Sequence, residues 1–271
     1  MKNPSPDRVA TEEGIVVGEA GGRPLKVDVY TPPAPVANGA GVLLVHGGGW
    51  QSGDRTQLRG YGILLGRIGY TCVACEYRLS GKATWPAQIE DVRMAFGWMR
   101  DHAGELEIER ERIAVEGNSA GAHLALMLAG SAAPGDLAAC VAVYGPSDLT
   151  KNAPRSERWE ALRAAGELDS GTRLFGDAGG EVRAQASPIT YASASFPPTM
   201  LIHGNKDEIV DVEHSLRMYR ALIDAGAKAE LHVFEGQPHA FERAPAFGRQ
   251  CAALMGLFLD RHVRAAPASA K

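Results

Sequence analysis

The sequence predicts an α/β fold in which a mostly parallel, twisted β-sheet is flanked by helices. From Gly41 onward, short runs of Val, Leu, Ile and Cys alternate with longer stretches whose apolar residues recur every three or four positions. This alternation is typical of parallel strands joined by crossover helices. A chain of 271 residues can bury one sizeable core, so we expect a single domain over residues 1–271.

The first predicted element is a small antiparallel hairpin over residues 14–30. Two short alternating runs, 14–19 and 25–30, flank the turn Ala20-Gly-Gly-Arg23, which is a hairpin signature. The later apolar runs predict strands at 42–46, 71–77, 113–116, 139–144, 199–203 and 230–234. The helical periodicity predicts helices at 89–103, 120–130, 213–225 and 248–262.

Residues 146–198 interrupt this rhythm with a long stretch rich in Arg, Glu, Gly and Ser. Compact domains rarely keep such insertions without a use. We therefore expect a small lid or pocket wall there, the alternative being a surface excursion without function. The Ala-rich tail, 264–271, is expected to be frayed.

Charge and composition argue against several classes of protein. The formal net charge is −4, and 45% of the residues are hydrophobic, as in ordinary soluble domains without a phosphate-binding surface. The polar N-terminus lacks the apolar core of a secretory signal, and no apolar run is long enough to span a membrane. We expect a cytoplasmic protein with neither a nucleic-acid nor a membrane partner.

The Cys72-x-x-Cys75 pair raises the question of a zinc or redox site. The pair lies within a predicted buried strand, and no second Cys/His pair with suitable spacing completes a tetrahedral site. Buried packing is the favoured interpretation, and no metal site is predicted.

The strongest functional signal is a serine between two glycines. Residues 113–121 read as a strand running into Gly117-Asn-Ser119-Ala-Gly121, and a helical pattern follows at once. This strand, G-x-S-x-G turn and helix form the context of a nucleophile elbow, in which the serine is exposed at the edge of the sheet. Ser119 is therefore the predicted nucleophile.

A nucleophile of this kind needs amide donors for the oxyanion that forms during acyl transfer. His46-Gly-Gly-Gly-Trp50 follows the first parallel strand directly, and HGGG-type loops accompany G-x-S-x-G elbows. We assign the oxyanion hole to the amides of Gly48, Gly49 and Ala120, while the choice of glycine pair stays open. A phosphate-binding loop is disfavoured, because no Lys-Ser/Thr follows the glycines.

The base and the acid are expected after the serine, on loops that follow late strands. His239 follows the last predicted strand as the candidate base, and Asp207 follows the strand before it as the acid that orients the imidazole. Asp211 is the main competitor for the acid, and Asp148 is a third candidate. His123 is a weaker candidate for the base, because it lies one helical turn past the elbow, where a packing role is more usual.

The remaining histidines are predicted to be structural. We expect His46 and His203, beside glycine turns, to hydrogen-bond to the backbone. The others are expected to have surface roles: His102, His214, His232 and His262.

Beyond these residues, several motifs recur in order along the chain, namely Tyr77-Arg-Leu-Ser80, Trp85-Pro-Ala-Gln-Ile-Glu-Asp91, Tyr144-Gly-Pro-Ser-Asp-Leu149 and Ser187-Pro-Ile189. With the glycine loop and the elbow, they resemble the α/β-hydrolase-fold esterases related to hormone-sensitive lipase. The resemblance is strongest to their bifunctional feruloyl and acetylxylan esterase branch and covers nearly the whole chain after Gly41. Lipase-like relatives carry a long helical cap before the catalytic domain, whereas little of this sequence precedes the hairpin, so we expect a more open acyl pocket.

The resemblance implies a serine carboxylesterase that acts on short-chain or small aromatic esters without a cofactor. It also implies that Trp50 contributes to the substrate pocket, and that Tyr77, Arg78 and Asp91 support the site by hydrogen bonds and an ion pair. Two other functions stay open, an arylformamidase similar to kynurenine formamidases and a non-catalytic ligand-binding scaffold. The expected partner is a small-molecule ester, and a homodimer is not excluded.

Overall fold

The computed structural model describes residues 8–166, 170–177 and 179–264. All but the first residue of the tail predicted at 264–271 lies outside the described residues. The strands form one eight-stranded sheet in the order β1-β2-β4-β3-β5-β6-β7-β8. Their bounds are β1 Ala10–Ala20, β2 Arg23–Thr31, β3 Gly41–Val45, β4 Thr71–Cys75, β5 Ile113–Asn118, β6 Ala139–Val143, β7 Thr199–Gly204 and β8 Ala229–Phe234.

Within this sheet, β2 runs antiparallel to both neighbours, β1 and β4, and every pairing from β4 to β8 is parallel. The prediction of a mostly parallel sheet flanked by helices is confirmed. Strands β3, β4, β5 and β6 are buried along their whole length. Burial on both faces explains why these strands are nearly continuous apolar runs in the sequence.

Helices cover both faces of the sheet. The core on one face includes side chains of α2, α3 and α7, and the core on the other face includes side chains of α1 and α8. The bounds are α1 Arg59–Gly66, α2 Ala87–Asp101, α3 Ala120–Ser131, α4 Glu157–Ala164, α5 Ser170–Phe175, α6 Gly180–Gln185, α7 Glu213–Asp224 and α8 Pro245–His262.

Helix α1 was not predicted, because Gly60, Gly62 and Gly66 lower its intrinsic helix propensity. Tertiary packing overrides this preference: Tyr61 and Leu65 are buried in the core. A Cβ on Gly62 would lie 2.5 Å from the ring of Tyr30. The glycine is therefore required where the helix meets β2.

The segment from β6 to β7 contains α4, α5, α6 and a 3-10 turn, Pro188–Tyr191. These helices are short, and the buried apolar side chains of the segment include Leu174, Phe175 and Ala186. Because the helices are short and bury few apolar side chains, the sequence shows no strong apolar periodicity in this segment.

Cys72 and Cys75 are buried free thiols in β4. Cys72 belongs to the core on one face of the sheet and Cys75 to the core on the other. Because the two thiols lie on opposite faces, they cannot bind one metal ion together. No helix in the part of the chain that the structure describes is both long and apolar enough to cross a membrane.

Candidate active site

Ser119 lies at the sharp turn between β5 and α3. Its backbone has φ 56° and ψ −118°, a strained conformation for a residue with a side chain. A Cβ on Gly117 would lie 2.3 Å from the carbonyl oxygen of Gly121, and one on Gly121 would lie 2.0 Å from that of Val45. Both glycines of the motif are thus required by close backbone contacts, and the turn places Ser119 at the carboxyl edge of the sheet.

Three side chains that are distant in sequence meet at this edge. The Nε2 atom of His239 lies 3.1 Å from the Oγ of Ser119, and its Nδ1 lies 2.7 Å from the Oδ2 of Asp207. An imidazole that donates its Nδ1 hydrogen to the carboxylate has Nε2 free to accept the serine proton. The structure thus brings together the three residues predicted from the sequence.

The loops that carry the acid and the base are bonded to each other. The amide of Gly236 donates to the Oδ1 of Asn205 at 2.7 Å, and the amide of Lys206 donates to the carbonyl of Gln237 at 3.0 Å. These bonds join the turn after β7 to the turn after β8, and so fix Asp207 relative to His239.

Asp207 is buried and its carboxylate is fully engaged. Its Oδ1 accepts the amides of Ile209 and Val210, each at 2.9 Å, and its Oδ2 lies 3.3 Å from the Nε2 of His203. Burial alone would raise the pKa of Asp207, but hydrogen bonds from His203 and His239 outweigh burial and lower that pKa below its ordinary value. The carboxylate therefore stays ionised and can stabilise a positive imidazolium.

The predicted oxyanion donors face the same cleft as Ser119. Gly48, Gly49 and Ala120 all line it, and Gly48 and Gly49 have φ angles of 114° and 58°. Within the described ranges, the amides of these three residues donate no hydrogen bond to the protein. They are free to bind an oxygen atom of a ligand.

His123 and Trp50 form a packing pair beside the elbow. The indole Nε1 of Trp50 donates to the Nδ1 of His123 at 3.2 Å, and the Nε2 of His123 donates to the carbonyl of Ala186 at 2.7 Å. Burial lowers the pKa of His123 to about 4. Both ring nitrogens of His123 are occupied, so it is not placed to act as the base.

Trp50 lines the cleft, although it is only 6% exposed. Most of its ring is held within the core, and the bond to His123 fixes its orientation. Its predicted contact with substrate stays a prediction.

Neither competitor for the acid contacts His239. The Oδ1 of Asp211 accepts the amide of Glu213 at 2.9 Å, at the start of α7. The Oδ1 of Asp148 accepts the amide and hydroxyl of Thr150 at 2.9 and 2.7 Å. Both carboxylates cap local backbone turns.

The prediction of a surface role for His214 is wrong. His214 is buried and lines the cleft, and its Nδ1 accepts the amide of Ser147 at 3.2 Å. Burial lowers its pKa to about 4. The residue ties α7 to the loop after β6, a long-range contact that local sequence does not reveal.

His46 and His203 make the backbone hydrogen bonds expected of them. The Nδ1 of His46 lies 2.7 Å from the carbonyl oxygen of Gly47, and the Nε2 of His203 lies 2.9 Å from that of Val210. His203 has the further role described above, since it also contacts Asp207.

A buried polar cluster behind the nucleophile was not predicted. The Nδ2 of Asn118 contacts both the Oη of Tyr144 and the Oε1 of Glu242, each at 3.1 Å. The ring of Tyr144 lies 4.6 Å from that of His239, and Glu116 is buried nearby. The only sequence signal was the position of Asn118 and Glu242 close to the serine and the histidine, which is too general to identify a cluster.

The residues that the motifs place behind the glycine loop do support it. The Oη of Tyr77 donates to the carbonyl of His46 at 3.1 Å. The guanidinium of Arg78 binds Asp91 at 2.8 and 2.9 Å through Nη2 and Nε. The bond from Tyr77 holds the loop that carries the candidate oxyanion donors. The ion pair of Arg78 with Asp91 joins the segment after β4 to α2.

The site opens into a cleft of about 960 Å³. One wall comes from the segment between β6 and β7, including Leu149, Trp159 and Phe175. Across residues 8–166, 170–177 and 179–264, no group of three or more His, Cys, Asp or Glu side chains is arranged to hold a metal ion.

Several known proteins similar to this chain are esterases. Esterase LipQ of Mycobacterium tuberculosis is 32% identical over 252 residues, which cover 88% of this chain and 59% of that protein. Ethyl acetate hydrolase of Pseudomonas putida is 31% identical over 237 residues, covering 82% of this chain and 73% of the enzyme. The chain spans only 55–59% of the length of three mycobacterial relatives that it matches.

Solved structures support the same fold. Esterase 2 of Thermogutta terrifontis, phosphonylated by sarin, has a TM-score of 0.77 and 25% identity, and the match covers 93% of this chain and 94% of that one. The fold of the protein is that of the α/β hydrolases. The family model described as BD-FAE matches residues 27–222, and the chain belongs to the BD-FAE family.

Proposed function

We propose that the protein is a serine carboxylesterase that hydrolyses small carboxylic esters through an acyl-enzyme intermediate. The observation that carries this proposal is the pair of contacts made by His239, 3.1 Å to the Ser119 hydroxyl and 2.7 Å to the Asp207 carboxylate. A hydroxyl, an imidazole and a buried carboxylate in this order are the parts needed for nucleophilic acyl transfer.

In the proposed acylation step, the Oγ of Ser119 attacks the ester carbonyl while the Nε2 of His239 takes the hydroxyl proton. The carbonyl oxygen becomes an oxyanion. When the tetrahedral intermediate collapses, the bond to the alcohol oxygen breaks and His239 returns the proton to the leaving alcohol. Asp207 holds the imidazole in the required tautomer and stabilises the imidazolium.

The amides of Gly48, Gly49 and Ala120 are the proposed oxyanion donors. Preorganised donors of this type act where charge develops, and the removal of one typically costs about 2.7–4 kcal/mol of transition-state stabilisation. Ala120 also begins α3, so the positive end of the helix macrodipole lies at the same place.

In the proposed deacylation step, water replaces the alcohol. His239 removes a proton from the water, the hydroxide attacks the acyl carbonyl, and Ser119 leaves with the proton from His239. The ester and water are consumed, and an acid and an alcohol are produced, so no further reactant is needed.

Short-chain or small aromatic esters are the proposed substrates. This proposal is supported by a similar enzyme, the ethyl acetate hydrolase of Pseudomonas putida, and by aromatic lining residues such as Trp50 and Trp159. A panel of para-nitrophenyl esters of increasing chain length, with methyl ferulate, shows whether short-chain or aromatic esters are preferred. Acetylated xylan and N-formylkynurenine test the xylan and formamide alternatives.

The mechanism is tested by the Ser119→Ala variant. We expect para-nitrophenyl acetate hydrolysis to fall by about 10⁴-fold or more, while circular dichroism and thermal unfolding stay close to those of the parent. A fluorophosphonate probe should label the parent and not the variant. A folded parent that is neither labelled nor active would instead favour a ligand-binding scaffold.

A further inference from the structure

The cleft beside Ser119 is lined by more basic than acidic side chains, although the whole chain has a net charge of −4. Its acidic lining residues are Asp148 and Glu242. Its basic lining residues are Lys151, Arg155, Arg173, Arg183 and Arg243. A cleft with more basic than acidic residues, in a protein with a net negative charge, suggests that the ligand of the cleft is anionic.

The two carboxylates are hydrogen-bonded to the protein and are not paired with these cations. Asp148 accepts two hydrogen bonds from Thr150, and Glu242 accepts one from Asn118 at 3.1 Å. Neither carboxylate forms an ion pair in the described part of the chain. Their hydrogen bonds to Thr150 and Asn118 hold both carboxylates against neighbouring protein groups.

Three of the cations have no carboxylate partner within the described ranges, namely Lys151, Arg183 and Arg243. Arg155 differs, because its Nη1 lies 3.3 Å from Glu160. The guanidinium of Arg183 lies 4.6 Å from the centre of the Phe175 ring. A stack of this kind holds the planar group in place and leaves its N–H donors available.

Arg243 lines the same cleft as Ser119 and His239. It belongs to the 3-10 turn Phe241–Arg243, directly after the loop of His239. Burial and the charge of Glu242 raise the pKa of Tyr144, while the positive charge of Arg243 opposes them. Because the ring of Tyr144 lies 4.6 Å from that of His239, the charge of Arg243 acts within the immediate surroundings of the base.

The unpaired cations therefore come from two separate parts of the chain, the turn after His239 and the segment between β6 and β7. A surface helix with an incidental basic face would supply cations from one element only. Cations that two separate elements bring into one cleft instead create a local positive potential, which raises the concentration of anionic ligands and speeds their binding.

We propose that the substrates of this site are anionic esters, which carry a carboxylate on the acyl or alcohol part in addition to the ester group. This inference rests on the proposed esterase function and names its substrate class. Arg183 and Arg243 are the proposed carboxylate-binding residues, because a guanidinium offers paired donors that match the two oxygens of a carboxylate.

The test compares esters that differ only in this charge. For the acyl side, mono(para-nitrophenyl) adipate is compared with para-nitrophenyl hexanoate, and for the alcohol side, para-acetoxybenzoate is compared with its methyl ester. The kcat/KM of each is measured after subtraction of the uncatalysed rate, at low and at high NaCl. The enzymes are the parent, Arg183→Gln, Arg243→Gln and the control Arg110→Gln, which removes an exposed arginine outside the cleft.

We expect the anionic member of at least one pair to be preferred by the parent. That preference should fall by about threefold or more in Arg183→Gln or Arg243→Gln, mainly through KM, and should shrink at high salt because of charge screening. Arg110→Gln should behave as the parent does.

Equal or better turnover of both neutral esters, unchanged by salt and by the two variants, would overturn the inference and leave the esterase function intact. Absence of turnover for all four compounds would overturn the proposed function, and this inference with it.

Discussion

At the scale of single residues, the roles of the two aspartates differ because of what their oxygens contact. The carboxylate of Asp207 lies 2.7 Å from His239 and is buried, whereas that of Asp211 caps the first turn of α7. We expect Asp207→Asn to lower kcat for para-nitrophenyl acetate by about 10⁴-fold, because an amide favours the wrong imidazole tautomer.

Asp211→Asn is the matched control for that change. Asn also caps helices well, so we expect activity within about twofold of the parent and little change in thermal stability. The reverse ranking of the two variants in kcat would move the acid to Asp211.

Glu116 offers a second prediction at this scale, concerning pH and stability. It is buried on β5, and neither carboxylate oxygen has a hydrogen-bond partner among the described residues. Burial, with a contribution from the charge of Glu242, raises its pKa well above the ordinary value. The side chain is therefore neutral in the folded protein over a pH range in which it ionises in the unfolded chain.

The sign of the pH effect follows from this difference. Above the ordinary pKa of glutamate, unfolding releases a proton from Glu116, so its contribution to the free energy of unfolding falls as the pH rises, by at most about 1.4 kcal/mol per pH unit. Glu116→Gln removes the ionisation while keeping the shape. We expect the variant to gain stability relative to the parent as the pH rises from 5 to 8, measured by urea unfolding.

A stability difference between variant and parent that is constant over this range would show that Glu116 is already ionised in the folded protein.

The sequence predicted the residues of the candidate site better than it predicted their surroundings. Ser119 could be predicted because G-x-S-x-G after a strand and before a helix is a local pattern, and each glycine is enforced by a backbone contact nearby. His214 could not be predicted, since its burial depends on Ser147, which is 67 positions away in sequence. A short sequence motif reflects contacts between residues that are close in sequence, whereas a contact between distant residues leaves no motif.

At the scale of elements, the loops after β7 and β8 act as one unit. The side chain of Asn205 accepts the amide of Gly236 at 2.7 Å, and this bond connects the loop of Asp207 with the loop of His239. A small displacement of a catalytic group can cost as much as 10²-fold in rate.

We therefore expect Asn205→Ala to lower kcat by about tenfold with a smaller change in KM. Asn205→Asp keeps an oxygen acceptor for the Gly236 amide and should retain more activity than the alanine variant. Steady-state kinetics with para-nitrophenyl acetate provides the measurement. Full activity of Asn205→Ala would mean that the backbone bond between Lys206 and Gln237 suffices to hold the two loops.

At the same scale, helices and strands could be predicted where their apolar residues recur with the regular spacing of one kind of element. Helix α3 and strand β5 have strong apolar patterns and lie close to the predicted bounds. Helix α1 has three glycines, which give it a low helix propensity. Packing against Tyr30 and the core nevertheless holds it in a helix. The helices between β6 and β7 have few buried residues, and a pattern of burial could not reveal them.

At the scale of the whole molecule, the fold brings together three candidate catalytic residues that are distant in sequence. Ser119 and His239 are separated by 120 positions, and Asp207 and His239 by 32. The parallel sheet brings them together because the carboxyl ends of β5, β7 and β8 lie at one edge. Prediction of the site from sequence was feasible because the order of these strands restricts where a long-range partner can lie.

Buried histidines make the stability of the whole molecule sensitive to acid. Burial is the main cause that lowers the pKa values of His46, His123 and His214, each to about 4. In the unfolded chain a histidine takes up a proton below about pH 6.5. Between these two values, unfolding binds protons that the folded protein does not bind.

The free energy of unfolding should therefore fall as the pH is lowered from 6.5 toward 4, with each of the three histidines contributing up to about 1.4 kcal/mol per pH unit. Asp207 does not contribute in this window, because its pKa is lowered from an ordinary value that is already near 3.8. Urea unfolding at half-unit pH steps measures the slope.

The matched variant is His214→Asn, whose amide oxygen can still accept the Ser147 amide but takes up no proton. We expect the pH slope of its free energy of unfolding to be shallower than that of the parent by one proton. The slope is the test, because the substitution also changes packing and hence the absolute stability. His232→Asn, in which a half-buried histidine on β8 is replaced, should keep a steeper slope than His214→Asn. Equal slopes for the parent and His214→Asn would show that His214 accepts a proton in the folded state, with the Nδ1 bond to Ser147 broken.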